Sequence, residues 1–506
     1  MMAWSPPSAP SRRRGIIPLL TFLIFVVYLE FLPHPSLDSW RRSVLHSTTK
    51  WTPADLPCAH LPGAEDVFVI VRTGATEVHH RLPIHLETTL HCVPDFAIFS
   101  DLEEEIQGLP VHDALDDLSE VALKEYPELD FYHDLHRYKA EGRNISALIE
   151  THGRQSSVRD KAWNLDKWKF LPLMSKAYAM RPSAKWYVVI EADTSILWSN
   201  ILHWLNTLDP SEPMYIGGQT WGGAVKFGHG GSGIIISQPA MQMLVEKQAR
   251  NIELFEKISG DDWAGDRALS VAFRKVGLQL TEAFPMIQGE TPYTLDFTEN
   301  HWCHPVVTYH HMPPNWIRRV WEFEQAWITS PHLANQTIYH RHMFDAFILP
   351  EIQSERLDWD NMSNDVQTPF HPPTIDHCRK LCEMNRKCMQ WHFAPGSCRT
   401  NHVVRLGQAI SPDFFPEQSL DTIGLSSPGP NLEDVESSLS DPNLDSSSSL
   451  DPSLDTIHHV ERDSEDITKF LKSARPTSGW MLERITAFKE RLGRCKKPWA
   501  GAYRFD

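Results

Sequence analysis

Four short runs of consecutive apolar, largely β-branched residues constrain this chain most. They are Asp66-Val-Phe-Val-Ile-Val-Arg72, Asp95-Phe-Ala-Ile-Phe-Ser-Asp101, Trp186-Tyr-Val-Val-Ile-Glu191 and Gly233-Ile-Ile-Ile-Ser237. Each is too short for a helix of ordinary length and rich in strand-forming types, so each reads as a buried strand. Helical patterns fall between them, at 165–179 and 241–256. Strands alternating with helices predict an α/β layered domain with a mainly parallel sheet over residues 64–355. In open sheets of this kind, ligands bind outside the carboxyl ends of the strands. The residues that follow these runs are therefore the first candidates for chemistry.

Glu191-Ala-Asp193 directly follows the third run. Two carboxylates two residues apart at a strand end can hold a hard cation, and a cation there can neutralise a diphosphate. The same triplet also fits a solvated turn. Gly230-Gly-Ser-Gly233 precedes the fourth run; it marks either a plain tight turn or a close approach of main chain to a ligand. Gly260-Asp261-Asp262-Trp-Ala-Gly-Asp266 leads into a helical run at 268–275. Asp266 there is either an N-cap or a general base acting on a hydroxyl. Tyr309-His310-His311 follows a possible strand at 306–308; an imidazole in it can ligate a divalent metal or simply sit in the core.

The flanking regions have different textures. Arg12, Arg13 and Arg14 precede the apolar run at 16–32, which predicts a single membrane anchor with the N-terminus (1–15) cytoplasmic and the body lumenal. A cleaved signal peptide is the rival, with a usual apolar core of about 7–15 residues. Residues 33–63, with several prolines, read as a stem. The chain has eight cysteines. Cys378, Cys382, Cys388 and Cys398 predict a small disulfide module at 359–406, and Cys495 is a candidate to pair back into it; the spacing lacks the C-x2-C pairs of a zinc site. Asn144, Asn335 and Asn361 head glycosylation triplets. Net charge is -17, which argues against a nucleic-acid partner. Most of that charge sits in the Ser-, Asp- and Pro-rich stretch 411–470, which predicts a disordered insertion. The segment 478–506 reads as ordered again and as packing on the module.

Taken in order, the motifs resemble the Fringe-like β1,3-glycosyltransferases of glycosyltransferase family 31, most closely the fungal members with a C-terminal PAN/Apple-like module. Val67-Phe-Val-Ile-Val-Arg-Thr73 is similar to the family's first nucleotide-binding strand, and His80-Arg81 to the helix after it. Phe99-Ser-Asp101 looks like the second strand end, and Trp163-Asn-Leu-Asp-Lys167-Trp-Lys169 like the lysine-bearing helix. Glu191-Ala-Asp193 stands where the family has its acidic triplet, with Glu in place of the usual Asp. Gly231 lies in the matching glycine turn, Gly265-Asp266-Arg-Ala-Leu269 matches the helix start carrying the catalytic Asp, and Tyr309-His310 matches the late metal-binding His.

The resemblance implies a GT-A fold and an inverting, Mn²⁺-dependent transfer (or one using another divalent cation) of a hexose or N-acetylhexosamine. The donor would be a UDP-sugar and the acceptor a glycan or glycoprotein hydroxyl, with a β1,3 linkage. It implies Asp266 as base, Asp193, His310 and Glu191 at the metal, and Thr73, Arg81, Asp101, Lys167, Glu191 and Gly231 at the donor. The setting it implies is a type II membrane protein of the Golgi or endoplasmic reticulum. The alternative from another class is an inactive, membrane-anchored protein that binds glycans or proteins through the PAN/Apple-like module, with Trp391 and Phe393 as its contact surface or its core.

Overall fold

The computed structural model describes residues 56–143, 145, 157–367, 374–410, 475–497 and 499. The expected anchor at 16–32, Asn144, and the acidic stretch 411–470 lie outside them. Among the described residues no helix is long and apolar enough to cross a membrane.

All four apolar runs are strands of one eight-stranded sheet. We label its strands β1 (Val67–Arg72), β2 (Phe96–Ser100), β3 (Glu104–Ile106), β4 (Leu109–Asp113), β5 (Trp186–Glu191), β6 (Tyr215–Gly217), β7 (Ile234–Ser237) and β8 (Leu280–Glu282). Their order is β8-β6-β7-β5-β1-β2-β4-β3. The run from β4 through β2 and β1 to β5 is parallel. β7 is antiparallel to both its neighbours, so the sheet is mixed rather than mainly parallel. The reason is the connection: β6 reaches β7 through the hairpin Gln219–Gly222/Val225–Gly228 and a glycine turn. No crossover helix intervenes, and a short link of that kind returns the chain in the opposite direction.

The uninterrupted apolar runs follow from covering both faces of the sheet. Phe68, Ile70, Tyr187, Val189, Ile234 and Ile236 enter one core layer. Val67, Val69, Val71, Trp186, Val188, Ile190 and Ile235 enter the other. Helices Phe170–Met180, Gln238–Ala249 and Gly265–Lys275 supply the first layer, and Val78–Leu86 and Trp198–Leu205 the second. The helix expected at 165–179 is two helices, Ser157–Asp166 and Phe170–Met180. Pro172, in the first turn of the second, starts a helix more readily than it continues one.

The body begins earlier than expected. Leu56 and Cys58 are buried in its core, and Cys58 bonds to Cys92 just ahead of β2. The disulfide module is a five-stranded sheet of Arg356–Leu357, Thr477–Trp480, Gln390–Ala394, Ser397–Asn401 and Asp365–Gln367, in that order. Helix Ile375–Met384 carries Cys378 and Cys382, which bond to Cys398 and Cys388. Cys495 does not join them; it bonds to Cys303 of the α/β body. The tail reaches the module instead through its strand Thr477–Trp480, which pairs with Arg356–Leu357 on one side and Gln390–Ala394 on the other.

Asp358 gathers both ends of the acidic segment. The Ile410 N–H donates to the Asp358 carbonyl (2.9 Å), the Asp358 N–H donates to the Pro476 carbonyl (2.8 Å), and Arg475 pairs with the Asp358 carboxylate. Trp391 and Phe393 are buried in the module core, so they are not a contact surface. Asn361 is also fully buried, and its amide donates to the carbonyls of Trp391 (3.0 Å) and Gly479 (3.4 Å). The folded chain has no room for a glycan on that side chain, whereas Asn335 is exposed.

Candidate metal and catalytic site

The parallel strands end together, and so do the groups that follow them. Arg72 pairs in register with Glu191 and with Phe99, which sets Thr73, Asp101 and Glu191-Ala-Asp193 along one edge. A second element brings His310 to that edge. Ser195–Ile196 and Thr308–Tyr309 form a two-residue antiparallel ladder, with Tyr309 opposite Ser195. The Met312 N–H donates to the Asp193 carbonyl (2.9 Å). A cavity of about 740 Å³ opens over these residues and reaches Asp266 and the glycine turn.

Carboxylate oxygens and imidazole nitrogens converge here. His310 Nε2 lies 3.2 Å from Asp193 Oδ1 and 3.6 Å from Glu191 Oε2, and His311 Nδ1 lies 3.8 Å from Asp193 Oδ2. Apart from the His310 ring, the buried Asp193 Oδ1 has no hydrogen-bond partner among the described residues, and the buried His310 Nδ1 has none. Buried orphans of this kind are rare unless something else satisfies them. One ligand atom each from Asp193, His310 and His311 lies within 4.8 Å of the others, a donor set that suits a divalent cation. His311, not assigned a role from the sequence, adopts a left-handed backbone (φ 56°) that brings it round to this cluster.

Charge is strongly polarised in the site. Burial disfavours ionised Glu191, but the Arg72 guanidinium and the His310 ring outweigh it and hold its carboxyl down to about 2. Asp193 is likewise driven well below the usual carboxylate range: against its burial, His310, His311 and Arg81 favour the anion. His310 is pushed up to about 9, because the two carboxylates overcome the effect of burial.

Gly231 makes the approach of His310 possible. A Cβ on it would lie within 2.8 Å of three atoms of the imidazole ring. The Thr194 hydroxyl donates to the Gly231 carbonyl (2.7 Å) and accepts from the Glu191 N–H (3.1 Å), tying the glycine turn to the acidic triplet.

Asp266 faces the cavity from the first turn of Gly265–Lys275. The N-cap of that helix is Ala264, not Asp266. Burial pushes the Asp266 carboxyl up to about 6, opposed by the Gly230 N–H that donates to Oδ2 (2.8 Å). Asp262 turns away to pair with Arg267 and is not part of the cavity wall.

The residues expected at the donor separate into two groups. Thr73, Arg81, Glu191 and Gly231 line the cavity with Arg81 paired to Asp193. Asp101 and Lys167 also line it, but their polar groups are already committed. Asp101 accepts from the Ala75 N–H (2.7 Å) and pairs with Lys169 (3.0 Å). Lys167 pairs with Glu128 (2.6 Å) and donates to the carbonyls of Gly260 and Asp262. Lys169, two residues on, is the lysine under the strand ends; it is buried and paired with Asp101 and Asp166. Arg72, also unassigned from the sequence, is buried between Asp166 and Glu191. An arginine closing an otherwise apolar strand was the available signal for it.

No protein-family model matches the chain. A β-1,3-glucosyltransferase of Mus musculus is 26% identical over 145 residues, covering 27% of this chain and 27% of that protein. The chain thus matches about a quarter of the length of that relative.

Proposed function

We propose that the chain is a glycosyltransferase, and more closely a Fringe-like inverting enzyme that moves a hexose or N-acetylhexosamine from a UDP-sugar to a glycan hydroxyl in β1,3 linkage. The observation that carries the reading is one cavity lined both by the metal-ligand groups Asp193, His310 and His311 and by a buried carboxylate, Asp266. The partial likeness to the mouse transferase supports the general class.

Asp193, His310 and His311 would hold Mn²⁺ or a similar cation, with Glu191 beside them, and the cation would offset the negative charge of the donor diphosphate. Arg81 adds positive charge at the same end. Arg72 and Lys169 hold the surrounding carboxylates in place. Asp266, with a pKa raised to about 6, is ionised at neutral pH yet basic enough to take a proton. It removes the acceptor hydroxyl proton as that oxygen attacks the anomeric carbon opposite the departing UDP, which inverts the configuration. The four disulfides among the described residues fit an oxidising lumen, with residues 16–32 as a type II anchor in the Golgi or endoplasmic reticulum.

The test is UDP release by the purified full chain against a panel of UDP-sugars and a mixed glycan acceptor, with Mn²⁺ or EDTA. The expected result is release with one donor, abolished by EDTA and by Asp193→Ala. Silence with every donor, together with no Mn²⁺-dependent UDP binding by calorimetry, overturns the reading.

A further inference from the structure

The mechanism above leaves the aromatic side of the cavity unused. Trp163, Trp221 and Trp263 all line it, and they are 58%, 64% and 56% exposed. One exposed indole is ordinary, but three on one cavity form an apolar rim of the kind that marks a ligand surface.

Trp263 and Trp221 are held rather than loose. Trp263 packs edge-on to Phe227 (centroids 6.3 Å apart) and against Gly222, where a Cβ would come within 3.0 Å of its ring. Trp221 precedes Gly222 in the same hairpin and stands beside the Lys226 ammonium (5.3 Å). Trp163 is one turn ahead of Lys167, whose backbone abuts Gly265. All three therefore surround the start of the helix that carries Asp266. The metal-ligand groups lie at the strand ends, at Asp193 and His310. A nucleoside diphosphate fits those groups, and a molecule with flat C–H faces and polar edges fits the indoles. Pyranose rings have that form, and an indole offers a rigid apolar face that loses little conformational freedom on contact.

We propose that Trp163, Trp221 and Trp263 are the acceptor platform, and that the acceptor presents pyranose rings to them rather than a bare peptide or lipid hydroxyl. The word acceptor rests on the transferase reading; the binding of pyranosides by the indoles does not.

The probes are methyl β-glycosides of glucose, galactose and N-acetylglucosamine and their β-linked disaccharides. Binding is measured on the full chain by saturation-transfer NMR, with UDP and Mn²⁺ present. The expected result is transfer to the ring C–H protons of at least one glycoside. Its dissociation constant should rise about fivefold in Trp221→Ala and in Trp263→Ala and stay near wild type in Trp221→Phe and Trp263→Phe, with UDP binding by calorimetry unaltered. Glycoside binding unchanged in both alanine variants overturns the proposal, as does no transfer to any glycoside. Indole-dependent glycoside binding by a chain that neither binds nor releases UDP keeps the platform and removes the transferase reading.

Discussion

Gly231→Ala probes the join between the glycine turn and the proposed cation site with a single methyl group. The added Cβ would lie within 2.8 Å of Nε2, Cε1 and Cδ2 of His310. Ordinary carbon contacts begin near 3.5 Å, so the ring must withdraw by roughly 1 Å. It cannot do so freely. Tyr309 and Ser195 fix the strand that carries it, and the Gly231 carbonyl is bonded to Thr194. Misplacing a reacting constellation by that much costs on the order of 100-fold in rate. We therefore expect Gly231→Ala to lower metal-dependent UDP release by about that factor and to weaken Mn²⁺ binding, read by electron paramagnetic resonance of the free ion. The thermal melt should fall only modestly, since overpacking of this kind costs about 1–3 kcal/mol. Full activity with unchanged Mn²⁺ affinity would refute the assignment of His310 to the cation.

Three further perturbations have definite expected outcomes. Asp266→Asn should lower turnover by about 10²–10⁴-fold, and wild-type kcat/KM should fall tenfold per pH unit below about 6, as the base takes up its proton. The same substitution should raise stability at neutral pH. The unfolded carboxyl ionises near 3.8 and the folded one near 6, so native stability declines as pH rises through that window. The cost is at most ~3 kcal/mol at pH 7, seen as a higher melting temperature for the variant at pH 7 and a vanishing difference at pH 3. Cys303→Ser should destabilise the chain by up to about 5 kcal/mol, since it opens a loop of 192 residues; limited proteolysis should then release the tail helix Leu482–Leu492 first. Replacing residues 411–474 with a short Gly/Ser linker should leave the melt and the UDP release unchanged, because Ile410 and Pro476 already meet at Asp358.

The strands were legible because burial on both faces leaves no polar interruption, as in Val67–Arg72 and Trp186–Glu191. Glu191 and Asp193 follow such a run and Gly231 precedes one, so their place at one edge of the sheet was legible, whereas Asp266 opens a helix and His310 follows a two-residue strand. What escaped depends on distance in the chain. Lys167 and Lys169 both lie in the three-residue break between two helices, and a break that short is not visible as a change in the apolar pattern. Arg72 and Asp166 are 94 residues apart and meet only in the fold. The Cys303–Cys495 pairing spans 192 residues, and local spacing carries no trace of it. The antiparallel course of β7 depended on how short its connection is, and the apolar run itself is silent about direction.

The placement of Thr477–Trp480 has a consequence for synthesis. The strand that fills the interior of the module sheet, and Cys495, both come later in the chain than every partner they join. A polypeptide that stops before residue 477 therefore exposes the edges of two strands and carries an unpaired thiol at Cys303.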